Sequence, residues 1–496
     1  MSYIDALSDI SRDGDRSITQ QIIDVLTAAI GSGELQPGDR LPPTRELAER
    51  VGVNHLTAVR AYRRMREQGQ VTARQGAGTF VVDPRAVDAP ADEPDWQRYV
   101  LPSVSPNAFS DAVSAASEQH ADDDVVPLSV GYPPSRTLPV DLWARHTANA
   151  LETIGPAALQ YGPIEGVPVL REQLAHHLGD GDDPEDLIVV QGAMQGLSLA
   201  AQALIQPGDA VAVESPTFMG AIQVLRQAGA RIFPIGIDDQ GLDVDELAQL
   251  AVREDLRAVF LQSRVQNPTS RDLAPDRADR LLELARRHAF FVVDDEVWAD
   301  LRFTGEDPGS LRRRAPAHVI ALGSFSKTLG GGLRMGWMRA SGGMVDRLAL
   351  AKHSDDLHSP TLTQYAMATF LADGDYAGHL DRVLDEYLRG RDLMLDALDR
   401  HLRPVASWTE PAGGCCVLVT LDAQLDDRAL QLEAERLGVS IMPGSAMTPD
   451  RPGTTMMRLA YGYVAPDAID LGIRRLATAI RSLGRERRAR SAFPLS

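Results

Sequence analysis

Cysteine is almost absent from this 496-residue chain, which contains only Cys415 and Cys416. Two adjacent cysteines with no partner elsewhere cannot form a disulfide framework or a four-ligand zinc site, so we interpret them as buried strand residues and predict no metal site. Long apolar runs are also missing, since none approaches the ~20 residues that a membrane helix requires. The acidic start of the chain lacks the apolar segment of a secretory signal. We therefore expect a cytoplasmic protein with no membrane partner.

Basic residues are outnumbered by acidic residues overall, 50 to 69, but they are concentrated in one part of the chain. The formal net charge is −19, which argues against a protein that coats nucleic acid along its whole surface, because phosphate neutralisation requires clustered lysine and arginine. Between residues 40 and 74, however, eight arginines stand against three acidic residues. The arginines are Arg40, Arg45, Arg50, Arg60, Arg63, Arg64, Arg66 and Arg74. The chain therefore carries one basic patch on an otherwise acidic protein.

The pattern of residues 17–82 predicts three helices followed by a β-hairpin. Apolar residues of the first helix recur at helical spacing, at Ile18, Ile22, Leu26 and Ile30. A second helix begins after Pro42-Pro43 and ends at Gly52, and a third begins near Asn54 and turns Val59, Tyr62 and Met65 inward. Alternating segments at 70–73 and 78–82 are typical of two short strands. Residues 1–82 are thus predicted to be a winged helix-turn-helix domain.

The rest of the chain divides into a linker, a large domain and a tail. Residues 83–125 are rich in Ala, Asp, Pro and Ser, a composition that cannot bury enough apolar surface to fold alone. From 126 to 485, continuously apolar strands alternate with helical stretches, at 187–190, 210–213, 258–261 and 290–293. This alternation predicts an α/β fold with a mainly parallel sheet. Residues 486–496 are assigned to a C-terminal tail.

Residues 17–81, including PGDRLPPTRELA and the wing RQGAGTFV, resemble the winged helix of GntR-family transcription regulators over its full length. The resemblance implies that the third helix enters the major groove, while the start of the second helix and the wing contact phosphate or the minor groove. The candidate DNA contacts are Thr44, Arg45, His55, Thr57, Arg60, Gln75 and Gly76. Related sequences often have arginine where His55 stands. The alternative is a winged helix used for protein contacts.

The segment GSFSKTLGGGLRMGWM, residues 323–338, resembles the Schiff-base segment of fold-type I pyridoxal 5′-phosphate enzymes. A lysine that forms an imine lies in a Gly-rich loop beside phosphate donors, so that the aldehyde reaches the amine while the phosphate is held. The resemblance makes Lys327 the site of an aldimine with pyridoxal phosphate, and makes Ser324, Ser326 and Arg334 phosphate ligands. An arginine fork suits two phosphate oxygens.

Two further segments are matched to the cofactor phosphate by the same resemblance. Gly192, Ala193 and Met194 follow a predicted strand and open a helix, where backbone N–H groups and the helix dipole suit an anion. Tyr161, in YGPIEG, matches a tyrosine that often reaches the phosphate of a neighbouring subunit in this fold. The alternatives are that Gly192 only makes a turn and that Tyr161 is a core aromatic.

Four residues match groups around the cofactor ring and the substrate. Asp295 matches the aspartate that pairs with the protonated ring nitrogen, so Lys327 and Asp295 are the candidate catalytic residues. Asn267 matches the donor to the ring hydroxyl, Phe218 the aromatic that stacks on the ring, and Arg458 the arginine that binds a substrate carboxylate. Three of the four have a plainer alternative: a strand-end cap for Asp295, a core aromatic for Phe218, and a partner of a local carboxylate for Arg458.

Three positions depart from the aminotransferase pattern. Trp298 stands where these enzymes have a tyrosine that bonds the ring oxygen, and an indole N–H donates but cannot accept or ionise. Ser270 replaces the glycine of the NPTG motif, and Phe218 lacks the hydroxyl often found at its position. The departures are compatible with cofactor binding and weaken the case for fast transamination.

The combination of the two domains resembles the MocR-type regulators. That resemblance implies a DNA-binding transcription regulator that senses pyridoxal phosphate, an amino acid or an amine. It also implies a small C-terminal α/β subdomain, a homodimer with swapped domains, and an operator with two half-sites. The alternatives are an active aminotransferase with an attached DNA-binding domain, in which Lys327 and Arg458 serve turnover, and a scaffold with an empty site.

Overall fold

The computed structural model describes residues 3–8, 10, 18–32, 34–36, 38–67, 70–74, 78–82, 125–179, 183–450 and 453–492. These residues divide into two compact units, 3–82 and 125–492. The predicted linker 83–125, apart from residue 125, lies outside the described residues, as do Gln75 and Gly76 of the predicted wing. No helix among the described residues is long and apolar enough to cross a membrane.

The first unit has the helices and hairpin that its apolar pattern predicts. Its described elements are α1 (Tyr3–Ser8), α2 (Ile18–Gly31), α3 (Thr44–Val51), α4 (His55–Glu67), β1 (Val71–Arg74) and β2 (Gly78–Val81). Helix α3 ends because Gly52 adopts a left-handed conformation with φ of 69°, which a residue with a side chain adopts at a cost. Strands β1 and β2 pair antiparallel, with Val71 opposite Val81.

Helix α4 packs on the rest of this unit through a face that agrees with the prediction at two of three residues. Tyr62 and Met65 are buried as expected, and the Tyr62 hydroxyl donates to the Pro42 carbonyl at 2.7 Å. The prediction for Val59 was wrong, because its side chain is 36% exposed. Ala58 and Ala61 are fully buried instead, so small residues bring α4 close to its neighbours. Val59 therefore lies toward the solvent side of the recognition helix.

The second unit is built on an eight-stranded sheet in the order β4-β11-β10-β9-β8-β5-β6-β7. Its strands are β4 (Leu187–Val190), β5 (Ala210–Ser215), β6 (Arg231–Asp238), β7 (Gly241–Leu242), β8 (Leu256–Leu261), β9 (Phe291–Asp295), β10 (Val319–Ser324) and β11 (Gly336–Arg339). Strands β6, β5, β8, β9 and β10 are mutually parallel, whereas β11 is antiparallel to both of its neighbours. The central strands are buried on both faces, which explains their continuously apolar sequences.

Helices cover the sheet and continue into the rest of the unit. They are α5 (Val140–Ile154), α6 (Pro168–Leu178), α7 (Ala193–Leu204), α8 (Met219–Gln227), α9 (Val244–Arg253), α10 (Pro275–His288), α11 (Leu311–Arg314), α12 (Gly343–Asp356), α13 (Thr361–Ala372), α14 (Asp375–Leu402), α15 (Asp427–Arg436) and α16 (Ile469–Ala492). Helix α16 runs past residue 485, where the sequence placed the start of a tail. The alternation of strands and helices agrees with the predicted α/β class.

A smaller sheet packs against α14 and α16. Its order is β12-β13-β16-β15, formed by β12 (Ala406–Trp408), β13 (Cys416–Leu421), β15 (Met442–Pro443) and β16 (Met456–Ala460). A separate parallel pair joins β3 (Val126–Pro127) to β14 (Val439–Ser440). Cys415 and Cys416 are free and fully buried, as predicted, but only Cys416 lies in a strand, since Cys415 directly precedes β13.

Candidate functional site

The carboxyl ends of five strands, β4, β5, β8, β9 and β10, point to one edge of the large sheet. Side chains that follow parallel strands at such an edge converge, and the segments after these strands line a cavity of about 670 Å³. The predicted residues that line it are Ala193, Met194, Phe218, Asn267, Asp295, Trp298, Ser324, Ser326, Lys327, Arg334 and Arg458. The fold therefore brings together in one cavity residues that are up to 265 positions apart in the sequence.

Lys327 ends a short 3₁₀ turn that follows β10. The turn is fixed at its start by Ser324, whose hydroxyl accepts a hydrogen bond from the Ser326 N–H at 3.1 Å. The lysine Nζ donates to the Gly131 carbonyl at 2.8 Å. Burial lowers the pKa of Lys327, because a charged amine is poorly solvated there. A larger fraction of the amine is thus neutral and nucleophilic than on an exposed lysine.

Asp295 is the last residue of β9 and is 6% exposed. One carboxylate oxygen accepts the Val297 N–H and the other accepts the Gln262 side-chain amide, each at 3.2 Å. Within the described residues, no cation lies within ion-pair distance of this carboxylate. Burial therefore raises the pKa of Asp295 to about 7. A buried carboxylate without a cation is costly, and a protonated ring nitrogen would satisfy it.

Asn267 and Arg458 lie together on the side of the cavity that adjoins the small sheet. The Asn267 N–H donates to the Gln262 side-chain oxygen at 2.8 Å, which fixes the loop after β8. Arg458, on β16, donates from Nη1 to the Asn267 side-chain oxygen at 3.3 Å and from Nη2 to the Ser129 carbonyl at 2.8 Å. Its buried Nε has no acceptor in the described part of the chain. Arg458 faces the cavity as a cation with unused donor capacity.

The start of α7 contributes Ala193 and Met194 to the cavity lining and has a geometry that suits an anion. Gly192 precedes the helix with φ of 86° and provides no side-chain cap, so the first helical N–H groups are available to a ligand. A Cβ added at Gly192 would lie 3.0 Å from the Arg334 guanidinium. The positive φ therefore favours glycine here, and a side chain at this position would also press on the arginine. Gly192 does not itself line the cavity, unlike Ala193 and Met194.

Two aromatic side chains predicted to bind the cofactor, Phe218 and Trp298, line the cavity. The Phe218 ring and the Met194 sulfur both pack against Gly220. A Cβ added at Gly220 would lie only 2.4 Å from the phenyl ring, so the ring occupies the space that a larger residue would need. Trp298 is 2% exposed and packs in the same way against Gly414. Both rings also pack against buried core residues. Each ring therefore stabilises the core with one part of its surface and faces the cavity with another.

Ser270 lies apart from the cavity. Its backbone is left-handed, with φ of 55°, and its hydroxyl donates to the Cys416 carbonyl at 3.4 Å. A non-glycine residue adopts this conformation at a cost of roughly 1–2 kcal/mol. Of the three departures from the aminotransferase pattern, Trp298 and Phe218 therefore line the cavity, while Ser270 affects the loop that supports it.

Tyr161 is not part of the cavity of its own chain. Its side chain is 79% exposed, and its ring lies 5.3 Å from the His358 ring in an edge-to-face arrangement. Its predicted contact with the phosphate of a neighbouring subunit stays a prediction.

Sequence reasoning missed a segment and a buried amide. The segment 129–132 supplies carbonyl acceptors to both Lys327 and Arg458, and the Tyr132 ring centre lies 5.1 Å from the lysine Nζ. The sequence of this segment has neither helical nor strand periodicity, so it gave no indication of these contacts. Gln262 bonds to both Asp295 and Asn267. Its place directly after the apolar strand β8 is a signal that could have identified it.

The first unit presents its predicted DNA contacts on α3 and α4. Arg45, His55 and Arg60 are exposed, whereas Thr44 and Thr57 are half-buried. The Thr44 hydroxyl and the His55 Nε2 lie 2.9 Å apart in a hydrogen bond, which joins the starts of the two helices. The predicted contacts Gln75 and Gly76 lie outside the described residues.

The cavity fits pyridoxal phosphate by three observations. Its lining includes a buried amine, a carboxylate with no cation of the described residues within ion-pair distance, and an uncapped helix start beside an arginine. These groups match the aldehyde, the protonated ring nitrogen and the phosphate of the cofactor, respectively.

Two family models match the chain. The model of "Aminotransferase class I and II" matches residues 123–476, and that of "Bacterial regulatory proteins, gntR family" matches residues 18–81. The chain is 30% identical over 488 residues to the HTH-type transcriptional regulator TauR of Rhodobacter capsulatus, covering 94% of this chain and 97% of the relative. It is 27% identical over 481 residues to the probable rhizopine catabolism regulatory protein MocR of Rhizobium meliloti, covering 96% of each.

A solved structure is similar to the second unit. The kynurenine aminotransferase of Pyrococcus horikoshii, determined in complex with PMP, has a TM-score of 0.72 and 30% identity. The similarity covers 77% of this chain and 95% of that protein. The fold of the large unit and the match of the winged helix thus agree with the expectations from the sequence. The chain belongs to the aminotransferase class I and II family, joined to a GntR-type DNA-binding domain as in the MocR-type regulators.

Proposed function

We propose that this transcription regulator binds pyridoxal phosphate on Lys327 and changes its interaction with DNA when an amino acid or amine enters the same cavity. The observation that carries this proposal is that one cavity contains both a buried amine and a buried carboxylate. The amine is Lys327, and the carboxylate is Asp295, which has no cation of the described residues within ion-pair distance. Packing alone gives no reason to bury both groups, since the lysine bonds to a neutral carbonyl and the aspartate to neutral N–H donors, which leaves each buried charge without an ion pair. Two relatives that match nearly the whole chain are named as regulators, which supports the role in transcription.

Pyridoxal phosphate, when bound, supplies an aldehyde that condenses with primary amines and a protonated ring that withdraws electrons. Lys327 provides the nucleophilic amine, and Asp295 holds the proton on the ring nitrogen. Arg334 and the first N–H groups of α7 bind the phosphate, while Asn267 donates to the ring oxygen. Arg458 binds and orients an incoming carboxylate. These residues suffice to hold the cofactor and to exchange its amine partner.

The DNA-binding half of the proposal assigns base contacts to the recognition helix α4. We expect a homodimer to place two such helices on two half-sites of one operator. Arg60 is exposed on α4 and Arg45 is exposed at the start of α3. Arg50, in contrast, forms an ion pair with Glu46 at 2.7 Å, so its charge is already partnered.

Arg60→Ala should weaken binding of the selected operator by about 10- to 100-fold and relax the base preference at one position of each half-site. Arg45→Ala should weaken binding to all sequences. It should also reduce the slope of the logarithm of affinity against the logarithm of salt concentration by about one, because one phosphate contact is lost. An operator would be selected from random DNA duplexes with the full-length protein, and affinities measured by fluorescence anisotropy over a salt series. Arg50→Ala is the matched control and should bind like the parent. Equal losses for all three variants would contradict the assignment.

An active aminotransferase is the second candidate, because the residues matched to its chemistry line one cavity: Lys327, Asp295, Asn267, Arg334 and Arg458. Trp298 is the feature that favours a sensor. Its indole N–H can donate to the cofactor ring oxygen, but it cannot accept a proton or ionise as a phenol can. The chain therefore lacks the phenol that in aminotransferases helps to tune the proton affinity of the bound amine.

Trp298→Tyr should therefore increase keto-acid formation from an amino acid that binds, by up to about 100-fold, which is the lower end of the contribution of a positioned acid–base group. The rate would be followed in single-turnover reactions of the cofactor-loaded protein. Trp298→Phe is the control, since it removes the indole without adding a hydroxyl, and its rate should match the parent. If the tyrosine and phenylalanine variants react equally fast, the substitution at this position is not what limits turnover.

A further inference from the structure

The charges that line the cavity are few. Among the described lining residues, the cations are Lys327, Arg334 and Arg458, and the acid is Asp295. Under the proposed function, Lys327 binds the aldehyde, Arg334 the phosphate, and Asp295 the ring nitrogen. Arg458 is then the cation that remains for the incoming ligand. Within the described residues of this chain, the lining thus provides one cation for a ligand carboxylate, and neither a second cation nor a free acid for a charged ligand side chain.

Arg458 lies between apolar neighbours in the small sheet. It is directly opposite Leu418 on β13 and directly opposite Met442 on β15. Residues directly opposite each other on antiparallel strands project from the same face of the sheet, with Cβ atoms about 5 Å apart. The guanidinium is therefore flanked by aliphatic and thioether side chains on both sides.

The apolar surface beside Arg458 extends across to α8. Leu418 and Met442 belong to one buried cluster with Met219, Ala446 and Met447. Met219 and Met442 also line the cavity. Methionine is flexible and polarisable, so it adapts to ligands of different apolar shapes. A ligand carboxylate on Arg458 thus places the adjoining side chain against an apolar, adaptable wall.

We infer that the ligand sensed by this cavity is an amino acid with a single carboxylate and an uncharged, apolar side chain, which packs on Met219 and Met442. The inference rests on the proposed function and specifies its ligand class. A second carboxylate placed on this wall would lose its hydration without gaining a cation, and the ammonium of a lysine side chain would likewise find no acid. Selectivity arises from the penalty on charged side chains as well as from contacts with apolar ones.

The test is a set of calorimetric titrations of the cofactor-loaded, full-length protein with L-leucine, L-glutamate, L-lysine and 3-methylbutylamine. L-Leucine should bind, and L-glutamate and L-lysine should bind about 100-fold or more weakly, because each leaves a buried charge unpaired. The amine 3-methylbutylamine, which is leucine without its carboxylate, should also bind more weakly, because it cannot use Arg458. Equal or tighter binding of glutamate or lysine would overturn the inference.

Met442→Arg supplies the missing cation beside Arg458 and should reverse the preference, so that L-glutamate binds more tightly than L-leucine. Met442→Leu is the control of similar volume and should retain the preference for leucine. The visible absorption of the bound cofactor, recorded before each titration, distinguishes a failure of the proposed function from a failure of the inferred ligand class. If the parent protein shows no cofactor band, the proposed function fails and this inference with it. If a loaded and folded Met442→Arg variant still prefers leucine to glutamate, the ligand side chain does not lie where we infer, and this inference alone fails.

Discussion

Lys327→Ala will abolish covalent retention of pyridoxal phosphate while the protein keeps its ability to bind DNA. The effect on attachment should be complete, because the condensation requires an amine at this position and no other lysine lines the cavity. The winged helix has its own core in residues 3–82, so loss of one lysine in the second unit should not unfold it. Attachment is measured by borohydride reduction followed by mass analysis of peptides.

The sequence makes this experiment unusually clear, since the chain has two lysines, Lys327 and Lys352. Lys352 is fully buried and bonds to Asp356 at 2.7 Å, so it should not be labelled in the folded protein. A label on the peptide that contains Lys327 in the parent, and no label in the variant, is the expected pair of results. A label on Lys352 in the parent would reject the assignment of the site. If the variant also loses DNA binding, the lysine serves folding instead.

Asp295→Asn should have two large effects of opposite sign. In the cofactor-free protein at pH 8, the variant should be more stable to unfolding by an amount on the order of 4 kcal/mol, because it removes a buried carboxylate whose pKa is about 7 instead of its ordinary 3.8. With saturating pyridoxal phosphate the order should reverse. The parent gains stability from tight cofactor binding, and the variant has lost the partner of the ring nitrogen.

The pH dependence of this effect follows from the direction of the pKa change. The folded state holds the Asp295 proton more tightly than the unfolded chain does, so the carboxyl stabilises the fold below about pH 4. That contribution declines as the pH rises and is lost above about pH 7. Denaturant titrations of the cofactor-free parent and variant should therefore coincide at pH 4 and separate at pH 8. A constant difference across this range would contradict the origin of the effect.

Asp294→Asn is the matched control for cofactor binding. Asp294 is also fully buried, but it does not line the cavity and projects from the opposite face of β9, where it accepts hydrogen bonds from the Ser263 N–H and hydroxyl. Its replacement should leave the affinity for pyridoxal phosphate unchanged. If both variants lose the cofactor equally, the loss reflects general damage to the strand.

Local physical patterns made much of the fold predictable. The strands at 187–190 and 258–261 are continuously apolar because they are buried on both faces, and their ends mark the edge where the cavity forms. The second helix of the winged domain was bounded by Pro43 and Gly52, whose backbone preferences act locally. The eight-strand order, by contrast, depends on contacts between distant segments that one sequence does not reveal.

The parts that sequence reasoning missed share a physical cause. Val59 was assigned to the core by its spacing, but Ala58 and Ala61 take that place because close helix packing favours small residues. The acceptors at 129 and 131 are backbone carbonyls, which any residue can supply, so side-chain identity carries no signal. Met442 becomes a neighbour of Arg458 only through strand pairing. Contacts of this kind are decided by topology and register.

The most direct test of the central claim measures DNA binding and chemistry in the same sample. The full-length, cofactor-loaded protein would be titrated with L-leucine while the anisotropy of its selected operator, the cofactor spectrum and keto-acid release are recorded together. We expect leucine to change the spectrum and the DNA affinity at the same concentration, with no stoichiometric keto acid. Conversion of leucine to its keto acid with an unchanged DNA affinity would contradict the account and identify the protein as an aminotransferase first.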